Sequence, residues 1–75
     1  MIITTIKEIN DCIAHGIKNF TIMLWSGTTS RYITRDGGYY YVFNECGSVT
    51  DELTESELVN NSIIGLALKN GRLWI

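Results

Sequence analysis

Apolar and polar positions change period along the chain, and each change marks an element. Ile6, Ile9 and Ile13 recur three and four positions apart, which lines up one face of an α-helix. Thr5 stands just before this stripe and Glu8 three residues later, the arrangement in which each side chain accepts the other's free backbone N–H. Gly16 falls where the helix must stop, in the left-handed position past the last turn, with Ile17 folding back toward Cys12. His15, in that last turn with Asp11 four residues earlier, suits the negative end of the helix dipole and reads as structural.

The period then shortens. Residues 20–25, Phe-Thr-Ile-Met-Leu-Trp, are too few for a helix between Gly16 and Gly27 and predict a strand. Residues 26–30, Ser-Gly-Thr-Thr-Ser, predict a turn. Residues 31–34 and 39–43 pair as a hairpin through Arg-Asp-Gly-Gly, whose glycines supply the positive φ of a two-residue turn. Residues 45–61 are polar and acidic, and Thr54 with Glu57 repeats the capping arrangement, so a short acidic helical segment is expected there.

Residues 62–71 fit two elements. As a helix, Ser62 caps it, Ile63, Ile64, Ala67 and Leu68 share a face, and Gly71 ends it. As a hairpin, Asn70-Gly71 makes the turn. The helix is favoured, because Leu-Ala-Leu-Lys-Asn-Gly repeats the ending of Cys-Ile-Ala-His-Gly. Gly65 counts against it, since glycine costs about 1 kcal/mol in a helix interior relative to alanine. Residues 72–75 close the chain as a strand. The expected fold is a single α+β domain over residues 1–75: an N-terminal helix, a three-stranded antiparallel meander, a short acidic helical segment, a short helix and a C-terminal strand.

Pleating divides these strands into two apolar sets, because alternate residues change face and cross-strand partners share one. For either placement of the glycine turn, Arg31, Ile33, Arg35, Tyr40 and Val42 share one face. Tyr32, Thr34, Tyr39, Tyr41 and Phe43 share the other. Phe20, Ile22, Leu24, Leu73 and Ile75 extend the first set, which can meet the isoleucine stripe of the helix. Met23, Trp25, Tyr32, Tyr39, Tyr41, Phe43 and Trp74 then lie together opposite. Either the later helices cover this second face, or another molecule does. Exposed apolar patches beyond a few hundred Å² mark interaction surfaces, and Trp and Tyr dominate binding hot spots.

Charge sharpens the reading. Residues 36–68 hold six acids (Asp36, Glu45, Asp51, Glu52, Glu55, Glu57) and no base, while the remainder holds all six bases against Glu8 and Asp11. Asp51, Glu52, Glu55 and Glu57 form a second candidate contact. A net charge of −2 lacks the electrostatic footprint of a nucleic-acid binder, and Arg31 and Arg35 fall opposite Tyr39 and Tyr41. Single-strand stacking on the Tyr/Trp face is therefore a lesser alternative, and nucleic acid is not the expected partner.

Catalytic chemistry finds no foothold. Cys12 and Cys46 belong to no metal-binding pair, His15 is the only histidine, and both cysteines read as reduced thiols. Asp36-Gly37-Gly38 lacks the lysine and hydroxyl of a phosphate loop. No enzyme activity, cofactor or metal is expected. No apolar run reaches the roughly 18 residues of a membrane span, and the N-terminus lacks a basic leader, so a cytoplasmic protein is expected. The expected function is protein–protein interaction, as an inhibitor or adaptor of a larger protein, through the aromatic face or the acidic segment. The alternative is a homodimer across that face.

Overall fold

A computed structural model describes residues 1–75. The elements run β1 (Ile2–Ile3), α1 (Ile6–Ala14), β2 (Asn19–Leu24), β3 (Gly27–Asp36), β4 (Tyr39–Phe43), β5 (Val49–Thr54), α2 (Glu55–Asn60), α3 (Ile63–Lys69) and β6 (Leu73–Trp74). All six strands join one antiparallel sheet in the order β1-β6-β2-β3-β4-β5. The coarse α+β reading therefore holds.

Local chemistry sets the helix ends. Thr5 Oγ1 accepts the Glu8 N–H at 3.2 Å and Glu8 Oε1 accepts the Thr5 N–H at 3.2 Å. Thr54 and Glu57 make the same exchange at the start of α2. Ser62 Oγ accepts the Gly65 N–H at 3.1 Å to open α3. After α1, Gly16 adopts φ +82° and the Ile17 N–H reaches back to the Cys12 carbonyl at 2.8 Å. Residues 63–69 are thus a helix rather than half of a hairpin.

Topology explains where the helices go. β1 and β2 run parallel, since both pair antiparallel with β6, and α1 connects them. Following the antiparallel ladder from β2 across to β5, β5 and β6 also run parallel, joined by α2 and α3. The second connection starts from a strand of opposite direction and travels the opposite way across the sheet. Connections between parallel strands are almost always right-handed. Reversing both direction and travel sends two right-handed crossovers over the same face. The core agrees: Ile9 and Cys12 of α1, Leu58 of α2, and Ile64, Ala67 and Leu68 of α3 form one cluster. They share it with Ile3, Phe20, Ile22, Ile33, Tyr40, Val42 and Leu73, all from one side of the sheet. Tyr40 is fully buried, and its hydroxyl donates to Asn10 Oδ1 of α1.

The finer expectations need four corrections. The chain opens with a strand, β1, whose two residues are too short to set a period. Residues 27–30 are not a turn but the first part of β3, in which β-branched Thr28 and Thr29 pair with Met23 and Ile22. The turn is Trp25-Ser26 alone. The acidic stretch is not wholly helical, because Val49–Thr54 pairs with β4 as the edge strand β5, with a bulge opposite Val42 and Phe43. The meander is therefore four strands long, and the whole sheet six. An edge strand with only Leu53 packed against the core carries almost no apolar signature.

Gly65 has a reason to be glycine that propensity does not reveal. It is buried in α3, and a Cβ there would lie 2.5 Å from the Leu58 carbonyl oxygen and collide outright with that of Val59. The missing side chain lets α3 press its backbone against the end of α2.

Candidate interaction surface

The helices sit on one face, so the other face of the sheet is bare. From edge to edge it presents Ile2, Trp74, Met23, Tyr32, Tyr39, Tyr41 and Phe43, with Val49 at the far margin. Register fixes this set: Ile2 faces Trp74, Trp74 faces Thr21, Tyr32 faces Phe43 and Thr34 faces Tyr41. Tyr39 is 49 % exposed and Trp74 39 %, whereas Tyr40 between Tyr39 and Tyr41 is 0 %. The tyrosine run is thus split, with one ring in the core and two on the open side.

Neighbouring rings support one another. Tyr32 and Phe43 meet edge to face, with centroids 5.7 Å apart and planes at 76°. Such pairs contribute about 0.5–1.5 kcal/mol beyond area burial. Glu52 lies opposite Tyr41 and Asp36 opposite Tyr39, so this margin carries two acids. Partial desolvation raises the Tyr41 hydroxyl pKa above its ordinary value, and Glu52 and Asp36 raise it further. Tyr41 stays neutral at physiological pH.

Six of the seven aromatic-face candidates (Met23, Tyr32, Tyr39, Tyr41, Phe43 and Trp74) are together on this face. Trp25 is not. It occupies the β2–β3 turn, 97 % exposed, with the Arg72 guanidinium 5.4 Å from its ring centre. A residue in a two-residue turn leaves the pleat, so strand parity does not place it.

The four acidic candidates do not form one surface. Glu52 joins the open face, while Asp51 pairs with Val42 and belongs to the helix side. Glu57 is committed to the α2 cap, where the Thr54 backbone N–H and then its hydroxyl lower the carboxyl pKa. Glu55 is exposed in the first turn of α2. Sequence reasoning missed Ile2 and Val49, because neither lies in a strand long enough, or apolar enough, to display its parity.

Elsewhere the titratable groups are tied to local structure. Glu45 reaches back across the sheet to accept from the Ser30 N–H and the Thr29 hydroxyl at 3.0 and 3.1 Å. His15 Nδ1 lies 2.7 Å from the Asp11 carbonyl oxygen, while the Asp11 carboxylate pairs with Lys7 at 2.9 Å. Cys12 is buried, which pushes its thiol pKa up, and Cys46 is exposed in the β4–β5 loop. No group of three or more His, Cys, Asp or Glu side chains converges as a metal site would require. No helix is long and apolar enough to cross a membrane.

Compared with known protein families, curated proteins and solved structures, the chain matches none.

Proposed function

We propose that this chain is a small non-enzymatic protein-binding module that seats the open face of its sheet on a larger protein. The observation that carries the reading is the one-sided placement of the helices, which leaves an aromatic face without a cover from its own chain. Five strand spacings of about 4.8 Å make that face about 24 Å wide. Its rings are of the types enriched at the centres of protein interfaces.

Charge selects the partner. Asp36 and Glu52 lie on this side, whereas Arg31 and Arg35 point to the helix side. Arg35 lies over the Tyr40 ring at 5.3 Å, and Arg31 donates to Thr29 and Ser30. The fitting partner has an apolar centre flanked by Lys or Arg. The same arrangement weighs against nucleic acid, whose phosphates need those arginines beside the rings.

The test is paired capture. A partner recovered with the wild-type chain is purified, and its affinity is measured for Tyr41→Asp, Trp74→Asp and the helix-side control Lys7→Glu. Loss of at least tenfold in affinity for the first two, with the control unchanged, is expected. Equal affinity for all three proteins overturns the reading. Sedimentation of the chain alone checks for self-association, and a dimer dissociated by Tyr41→Asp would make the occupant a second copy instead.

A further inference from the structure

β6 is only two residues long, and its shortness leaves a notch. β6 pairs with Thr21 and Ile22, so beyond the single bond from the Met23 N–H to the Arg72 carbonyl, the end of β2 has no strand on its β6 side. α3 faces that gap across the helix side of the sheet. The result is an open groove of about 360 Å³ between α3 and the β2–β3 turn, which shares only Met23 with the bare sheet face. Leu24, Trp25, Ile63 and Leu66 supply most of its apolar wall, and Leu66 is 64 % exposed.

A single charge lines it. Arg72 stands at the rim with its guanidinium stacked on Trp25. The only ion pair in the chain is Lys7–Asp11, so Arg72 has no carboxylate partner of its own. No acid lines the groove to compete for it. In a chain of net charge −2, an unpaired guanidinium beside an apolar hollow is complementary to one kind of molecule. That molecule has an apolar body and an anionic head.

We infer that this groove binds a small amphiphilic carboxylate, with its hydrocarbon body against Leu24, Ile63 and Leu66 and its carboxylate on Arg72. Size separates this ligand from a protein. The volume is at the small end of the roughly 300–1,000 Å³ of small-molecule sites. Nine residues line it, against the roughly 20–30 per side of a stable protein interface. Guanidinium–carboxylate hydrogen bonds supply orientation, because the planar guanidinium fork can meet both carboxylate oxygens at once.

Trp25 reports on the site directly. In a Trp74→Phe background it is the only tryptophan, and octanoate is titrated against its emission. A saturable blue shift is expected. Arg72→Gln should weaken octanoate about tenfold and leave 1-octanol unchanged, which separates the head-group contact from apolar burial. Leu66→Gln, at an exposed helix position that folding does not need, should abolish both. The converse background, Trp25→Phe, keeps only Trp74 on the open sheet face and should show no shift. The inference fails if octanoate gives no saturable change, if Arg72→Gln binds it as wild type does, or if the shift follows Trp74.

Discussion

Gly65→Ala sets two physical effects against each other. Helix propensity alone predicts stabilisation, by about 1 kcal/mol for glycine to alanine in a helix interior. The tertiary structure predicts the reverse. The new Cβ would lie 2.5 Å from the Leu58 carbonyl oxygen and closer still to that of Val59. Both are backbone atoms, so no side chain can rotate away. The α2–α3 contact must open instead, and with it the packing of Leu58 and Ile64, both buried. Overpacking of this kind costs about 1–3 kcal/mol, and opposition by rigid backbone belongs at or above the top of that range. Subtracting the propensity gain leaves a net loss of about 2 kcal/mol. For a chain of this size, total stability is about 4–11 kcal/mol and each kcal/mol moves Tm by about 4–8 °C. Tm should therefore fall by about 8–16 °C. Circular dichroism melts and urea titrations of the wild type and Gly65→Ala measure it. Gly71→Ala is the control, because its φ is +66° with nothing near its Cβ, so it suffers backbone strain alone. A Gly65→Ala midpoint equal to or above wild type would refute the close-approach argument.

The two sides of the sheet should respond differently to the same truncation. Tyr40→Ala removes a fully buried ring and should cost about 3–5 kcal/mol, whereas Tyr39→Ala on the open side should cost under about 1 kcal/mol; equal urea midpoints for the two variants would contradict the assigned faces. Stability should also fall at both extremes of pH, as urea midpoints followed across the range will measure. Glu8, Glu45 and Glu57 are held below 4.5 first by the backbone N–H groups of Thr4, Ser30 and Thr54 respectively. Their contribution is complete above that pH and drains away as pH falls through the lowered values. Burial raises the Tyr40 hydroxyl above 10.0, so its contribution is intact below pH 10 and lost as pH climbs through the raised value. A Glu8→Gln, Glu45→Gln, Glu57→Gln triple variant with the wild-type acid limb would contradict the first assignment, and a Tyr40→Phe variant with the wild-type alkaline limb the second.

What could be read without the structure was local. Thr5 and Glu8, Thr54 and Glu57, and Ser62 with Gly71 mark helix ends because capping involves neighbours within a turn. The split of Tyr39, Tyr40 and Tyr41 between two faces follows from pleating and holds for either turn register, so residue order alone determines it. The observed turn is Gly37-Gly38, which pairs Arg35 with Tyr40.

Other features were decided only in three dimensions. β5 is a strand because β4 offers it a partner; its residues are mostly polar, and the bulge between Val49 and Asp51 breaks the alternation that would announce it. β1 exists because β6 returns to pair with it. Gly65 looks like a flaw in a helix until α2 is packed against it. The fate of the aromatic face depends on topology, since both crossovers pass over one side and no residue along the strands encodes that choice. Residue order was enough to show that the sheet has two apolar faces and to assign the side chains of its central strands, though not Trp25, Ile2 or Val49. That one face is core and the other open came from the fold, because a face is covered by long-range connection, not by the strand that carries it.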